Sequence, residues 1–212
     1  MQPAVIARVQ LRIDMPKVLT PEEIVCFRNR MCDHALVSFG KHGVEGISLR
    51  GLAADLSCSR TTPYRYFKNK ADILAALRQR EFGRIADALT ACLNNELDSD
   101  SQLEALLRTY LNFAIQYPDS YRVMYNAGQP DSAKYPDLEA EIARSAEPMH
   151  QVVTSALKSG VMVGDPINIC YVLWAGLHGL ISLHLGHMLG SKREIEELSA
   201  AMIHCLIRAV RN

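Results

Sequence analysis

From Ser48 to Leu74 the chain reads SLRGLAADLSCSRTTPYRYFKNKADIL, and this stretch admits few folds: two short helices joined by a tight turn, with a further helix behind them. Ser48 is a good N-cap, and Leu49, Leu52, Ala53 and Leu56 fall on one face at helical spacing. The turn falls at Ser57 and Cys58, and Ser59 is placed to cap a second helix. At about 100° per residue, Arg60, Thr61, Tyr64 and Arg65 share one arc of that helix, Pro63 and Phe67 point away, and Thr62 and Tyr66 lie at the border. Arg pairs bidentately with guanine, Thr meets a thymine methyl or a phosphate, and Tyr reaches a phosphate oxygen, so the first arc suits nucleic acid. The competing reading makes the aromatics core residues of a plain helical hairpin; it fits Phe67 and Tyr66 better than Tyr64. Pro63, about one turn in, removes a backbone donor and disfavours helical angles at Thr62, which predicts a tight, short recognition helix.

The flanks complete a compact unit. Thr20-Pro21-Glu22-Glu23 is a capping box with Pro at the first helical position, so a helix is expected from there to Phe39, before Gly40 and Gly43. Its apolar stripe is Ile24, Phe27, Met31, Ala35 and Phe39. Asn69, with Asp72 three residues on, starts another helix running to Asn94, with Ile73, Leu74 and Leu77 facing inward.

Residues 20 to 77 resemble the DNA-binding domain of the TetR family of bacterial one-component transcriptional regulators. The matching residues are Phe39-Gly40, Gly43, Ile47-Ser48, Leu52-Ala53, Ser59, Tyr64, Phe67, Lys70 and Leu74. Departures are Ser57, where the family usually has Gly, Cys58, where Val is usual, and Pro63, where Leu is common. The resemblance implies that Ser48, Arg50, Thr61, Thr62, Tyr64, Arg65 and Lys70 lie near DNA; the helical wheel adds Arg60, with Ser59 at the start of the same segment. A cation at the start of a helix opposes the helix dipole, so Lys70 points to a phosphate partner; the alternative is a solvated lysine after a loop.

Charge follows the same division. Residues 1–80 carry 13 Lys and Arg against 7 Asp and Glu, a net of +6, and residues 81–212 carry 10 against 16, a net of −6. A chain of formal net charge zero therefore has a basic head on an acidic body, as expected when one part meets a polyanion. With 212 residues, 49% of them hydrophobic, there is material for such a head and one larger core. The expected organisation is an N-terminal extension over 1–19, a helix-turn-helix domain over 20–68, and a helical ligand-binding and dimerisation domain over 69–212. The extension lacks a secretory signal's apolar run; its alternating Val9, Leu11 and Ile13 fit a strand, a partner contact or no structure at all, and a basic arm on DNA is a separate reading.

The body reads as all helix, in segments near Gln102–Tyr117, Ser120–Ala127, Pro136–Ser159, Pro166–Leu189 and Lys192–Val210, for an all-α chain of about nine helices. Pro166 to Gly190 contains no Asp, Glu, Lys or Arg, which makes it a membrane-span candidate. Its Asn and His residues, the Asp165-Pro166 start and the lack of a preceding basic cluster favour instead a helix buried between its own domain and a second subunit. Ala175, Gly179, Ser182 and Gly186 form a small-residue stripe that lets another helix approach closely. The last helix opens with a Ser191-x-x-Glu194 capping box and places Ile195, Leu198, Met202, Cys205 and Ala209 at heptad-like steps. Two such helices from each of two subunits make a four-helix dimer interface, the arrangement the family resemblance also implies. Trp174 and His178-Gly179 resemble the marks of a Trp/His-Gly subgroup of TetR ligand domains.

Tyr110, Phe113, Tyr121, Met124, Tyr125, His150, Trp174 and His178 are candidates to line a mostly apolar ligand pocket, the alternative being ordinary core packing. The six cysteines show no C-x-x-C pair and read as reduced core residues rather than redox sensors. His178, His184 and His187 share a helix without assembling a metal site. No nucleophile elbow, phosphate loop or H-E-x-x-H occurs, which argues against an enzyme. The expected protein is a cytoplasmic, homodimeric repressor that binds a palindromic double-stranded DNA operator. A small, mostly apolar ligand releases it, and neither cofactor, metal nor membrane is involved. The alternatives are a constitutive DNA-binding dimer and a redox- or metal-sensing regulator.

Overall fold

A computed structural model describes residues 20–94, 96–125, 131–189 and 195–212. Over these residues there are eight α-helices, three short 3-10 turns and no strand; one isolated bridge joins Met162 to Arg211. Residues 1–19, with the Val9, Leu11, Ile13 alternation, and the Ser191-x-x-Glu194 box lie outside the described residues.

The head follows its caps. α1 spans Pro21–His42, and its capping box closes through Glu23 N–H donating to Thr20 Oγ1 (3.2 Å) and Thr20 N–H donating to the Glu23 carboxylate (2.9 Å). The helix runs through Gly40 and ends at Gly43, whose φ of 63° and N–H bond to the Phe39 carbonyl stop it. α2 spans Leu49–Asp55 and starts where Ser48 Oγ accepts from Gly51 N–H at 3.0 Å. Ser57 then turns the chain at φ 52°, so the conformation that glycine adopts freely is imposed here on a serine.

α3, Lys70–Ala91, starts on Asn69 Oδ1, which accepts from Asp72 N–H at 3.0 Å. It belongs to two cores. Ile73, Leu74 and Leu77 pack with Met31, Phe39, Leu52 and Phe67 in the head; Phe82, Ile85 and Leu89 pack with the body. The body adds α4 (Ser99–Gln116), α5 (Pro118–Tyr125), α6 (Pro136–Lys158), α7 (Pro166–Leu185) and α8 (Ile195–Val210). Asp98 caps α4 by accepting from Asp100 and Ser101 N–H, so that helix starts before the expected Gln102.

α5 bridges the two cores. Its Val123 is buried in the head core, while neighbouring Tyr121 and Met124 are buried in the body core. Asp119 packs so closely against Gly40 that a Cβ there would require its carboxylate to move. Arg122 Nη2 donates to the Leu185 carbonyl at the end of α7, 2.9 Å away.

α7 is long and apolar enough to cross a membrane by length and composition alone. One face, Ile169, Leu173, Leu177, Leu180 and Ile181, is buried in the body core. Its opposite face leaves Tyr171, Val172, Ala175, Gly179, Ser182 and Leu183 exposed, and Gly186 is exposed just beyond its end. α8 is rotated relative to the expected stripe. Ser199, Ile203, Leu206 and Val210 turn into the protomer's own core; Ile195, Leu198 and Met202 are half-buried against it, and only Cys205 and Ala209 of the expected set are exposed. The reason is that Ile203, Leu206 and Val210 make the bulkier apolar face, and it packs on α4 and α7.

Candidate nucleic-acid interface and ligand cavity

The segment after α2 is not an α-helix. Pro63–Arg65 forms one 3-10 turn, with Arg65 N–H bonded to Thr62 O and Tyr66 N–H to Pro63 O. Ser59, expected to cap a helix here, instead meets the Thr61 hydroxyl at 3.0 Å and the Thr62 hydroxyl at 2.8 Å, and no side chain caps the turn. Pro63 contributes to the first of these, because it has no N–H to donate to the Ser59 carbonyl as a continuing α-helix would require, and its ring packs inward, buried. The tight turn keeps the division between arcs. Ser48, Arg50, Ser59, Arg60, Thr61, Tyr64 and Arg65 are exposed, Thr62 is half-buried, and Pro63 and Phe67 are buried.

The three aromatics separate. Tyr64 is 57% exposed. Tyr66 packs on Phe27 with ring centroids 4.7 Å apart, and Phe67 lies beneath the Arg28 guanidinium at 4.4 Å. Arg28 also donates to the Tyr66 carbonyl at 2.7 Å, fixing the segment against α1. Lys70, at the start of α3, pairs with the exposed Glu45 at 3.1 Å.

At the joint between head and body, Glu81 of α3 is fully buried and accepts from Arg80 Nε at 2.9 Å and Arg84 Nη1 at 2.8 Å. Arg80 reaches on to α1, donating to Asp33 at 2.7 Å and to the Asn29 carbonyl at 3.2 Å. Arg84 stacks on Tyr117 at 4.5 Å. One buried carboxylate thus organises the cations that tie α3 to α1 and to the end of α4.

Beyond that joint, α3, α4, α5, α6 and α7 line a cavity of about 470 Å³ that opens to solvent past Ile167 and Tyr171, within the usual range for small-molecule sites. Of the pocket residues expected from sequence, Tyr110, Met124, Tyr125, His150 and Trp174 line it; Phe113, Tyr121 and His178 do not. Phe113 is a core residue against Tyr117, Tyr121 is buried in the body core, and half-buried His178 packs on Tyr121 with ring centroids 5.7 Å apart. The latter two extend a polar ladder: His178 Nδ1 to Tyr121 OH at 2.6 Å, Tyr121 OH to Tyr110 OH at 3.1 Å, and Tyr110 OH to Tyr125 OH at 3.2 Å, with Trp174 Nε1 donating to Tyr110 OH at 2.9 Å. With Tyr110 donating to Tyr125, one assignment satisfies the other links: Tyr121 donates to Tyr110 and His178 Nδ1–H donates to Tyr121. Burial lowers the His178 pKa and raises those of Tyr110, Tyr121 and Tyr125, which keeps the ladder neutral.

Sequence reasoning missed most of the lining: Phe82, Ile85 and Leu89 of α3, Leu106 of α4, Ile142 and Met149 of α6, Ile167, Cys170 and Tyr171 of α7, and Arg78. Arg78 had a readable signal. The steps Leu74, Arg78, Phe82 and Leu77, Glu81, Ile85 put two charged residues at inward positions of one helix. Elsewhere, burial raises the Cys32 thiol to about 11 and also raises Cys170, which disfavours thiolate chemistry at both. Among the described residues no group of three His, Cys, Asp or Glu side chains is arranged to hold a metal.

A helix-turn-helix head with an exposed basic turn, joined by one continuous helix to a helical body with a cavity, is the build of a DNA-binding transcriptional regulator. Residues 32–77 match the family described as bacterial regulatory proteins, tetR family, and residues 103–206 match the tetracyclin repressor-like C-terminal domain. The chain belongs to the TetR family, with the family's helix-turn-helix head and a tetracyclin repressor-like C-terminal domain. An uncharacterised helix-turn-helix-type regulator of Mycobacterium tuberculosis is 29% identical over 119 residues, covering 55% of this chain and 50% of that protein. The match thus spans half the relative's length. A second regulator of the same organism is 23% identical over 176 residues, covering 68% of this chain and 74% of its own. A protein of unknown function from Rhodococcus sp. RHA1 has a similar structure, with a TM-score of 0.76, 27% identity, and coverage of 87% of this chain and 95% of that one. A TetR family transcription regulator from Marinobacter aquaeolei VT8 shares the fold at a TM-score of 0.71 and 16% identity, covering 91% of this chain and all of that one.

Proposed function

We propose that the protein is a cytoplasmic homodimeric repressor of a palindromic double-stranded DNA operator, released when a small molecule with an apolar body enters the cavity. The observation that carries this reading is α3, whose first half belongs to the head core and whose second half lines the cavity, so an occupant presses on the element that holds the head. The exposed apolar face of α7, continued by Cys205 and Ala209 of α8, supports a twofold partner as its cover rather than lipid. Trp174, in the cavity wall, and His178-Gly179 on the same helix keep the narrower likeness to the Trp/His-Gly subgroup in view.

In this reading Ser48, Arg50, Ser59, Arg60, Thr61, Thr62, Tyr64, Arg65 and Lys70 face the operator. Arg60→Ala and Tyr64→Ala leave a folded dimer and weaken binding to the specific site, by about 1 to 3 kcal/mol for Arg60 if it reads a base. Fluorescence anisotropy with a labelled operator measures this, and unchanged affinity in both variants removes the assignment. Lys70→Ala weakens specific and nonspecific duplexes alike and lowers the salt slope by about one unit. A wild-type slope in that variant would leave Lys70 to its ion pair with Glu45 alone.

The decisive experiment selects genomic fragments bound by the purified protein, defines the operator by footprinting, and screens metabolites for one that raises the melting temperature and releases that DNA. A specific operator with no releasing compound would favour a constitutive DNA-binding dimer.

A further inference from the structure

The cavity holds one feature that an apolar ligand alone does not account for. Arg78 projects from α3 into its lining with only 3% of its surface exposed. Its Nε donates to the Met124 carbonyl at 3.2 Å, but its buried Nη1 has no hydrogen-bond partner. Among the described residues no carboxylate pairs with it: Glu81, one turn further along α3, is held by Arg80 and Arg84. Among the described residues the lining contains no other Asp, Glu, Lys or Arg. A cation out of water with neither counter-ion nor full hydrogen bonding is costly, and its planar fork of donors fits two oxygens side by side.

We propose that the cavity takes an apolar molecule ending in a single carboxylate, anchored on the Arg78 guanidinium. The charge count favours a monoanion, since one cation neutralises one carboxylate but leaves a phosphate monoester's second charge buried and unpaired. The surrounding Phe82, Ile85, Leu89, Met124, Met149 and Leu177 supply the wall for the apolar part. Two of the polar groups nearby are already engaged, Ser145 Oγ donating to the Ile142 carbonyl and Trp174 Nε1 to Tyr110, and His150 lies at the exposed edge of the lining. A carboxylate drawn to Arg78 competes with the Met124 carbonyl for the guanidinium, and the residue before Met124 is Val123 in the head core. The anion thus acts one residue away from the packing that holds the reading head. This deepens the proposed function and rests on its ligand-responsive reading.

The test uses the full-length protein and three probes with the same chain: decanoate, decanol and decyl phosphate, each below its aggregation threshold. Calorimetric titration is expected to give decanoate an affinity at least about tenfold above decanol, the scale of one hydrogen-bonded charge pair, with decyl phosphate weaker than decanoate. Arg78→Gln is expected to erase the preference for decanoate over decanol. Equal affinity for decanoate and decanol, tighter binding of decyl phosphate, no binding of any probe, or a retained preference in a folded Arg78→Gln protein would each overturn the proposal. If Arg78→Gln does not fold, the three-probe ranking on the wild-type chain decides. Operator release is read separately. Decanoate that binds through Arg78 without releasing DNA upholds the carboxylate site and sinks the ligand-release reading. Release by neutral apolar compounds alone does the reverse.

Discussion

In the proposed dimer, Gly179→Leu is expected to separate the two copies while leaving each protomer folded. A Cβ at Gly179 meets nothing within 4 Å, and the residue is exposed, so a larger side chain there starts out into open space rather than into the protomer's own core. It stands in the middle of the uncovered α7 face, between Ala175 and Ser182, where a partner helix would approach closely. Gly176, three positions before, supplies the contrast. A Cβ there comes within 2.8 Å of Leu206, so Gly176→Leu forces α7 from α8 within one protomer and destabilises the fold itself. Gly186→Leu also overfills the face, but its Cβ meets Met188 and the Ser182 carbonyl, so it strains its own turn and is the less clean probe. In that reading, loss of the dimer removes simultaneous engagement of two half-sites and is expected to lower operator affinity by about a hundredfold or more. Sedimentation and circular dichroism separate the outcomes; an intact Gly179→Leu dimer moves the interface to another surface.

Glu81→Gln is expected to destabilise the chain by about 3 kcal/mol, the lower part of the range for breaking a buried ion pair. The carboxylate is fully buried between Arg80 and Arg84. Neutralising it leaves two guanidinium groups side by side, although both are partly exposed and can turn toward water, which keeps the loss from being larger. The effect is not confined to α3. Arg80 also holds Asp33 and the Asn29 carbonyl, so amide exchange in α1 should rise together with the loss of stability. Urea unfolding measures the energy, and a change below about 1 kcal/mol would make the triad an ordinary surface arrangement.

Much of this architecture is readable from local chemistry. The caps at Thr20, Ser48, Asn69 and Asp165 are all present, and α1, α3, α6 and α7 begin where those caps or their prolines place them. The all-α class and the helix-turn-helix head follow, since caps and apolar periodicity act over a few residues. What was not readable depends on partners far along the chain. Pro63 announced a short recognition segment, but only packing against Phe27 and Arg28 shows it shrinking to a single 3-10 turn. Heptad-like steps in α8 identified an apolar stripe without revealing that Ile203, Leu206 and Val210 form a better one, facing home. The cavity draws residues from five helices, and no local pattern in any one of them marks a shared space. The charged pair Arg78 and Glu81 is the exception: ionic residues at inward helical steps are a local sign of something special, and each sits at a different critical place.

The position of Val123 and Met124 as neighbours in two different cores bears on attempts to recombine regulators of this kind. A chimera that joins a foreign head to this body by cutting within α3 would keep α5 with the body and present Val123 to a surface it does not fit. The same cut made in reverse would strip the head of a buried side chain contributed from more than forty residues downstream. Modular exchange therefore requires α5 to be redesigned with whichever head it meets, and its length to be preserved, because inserting one residue rotates Val123 by about 100° away from its pocket.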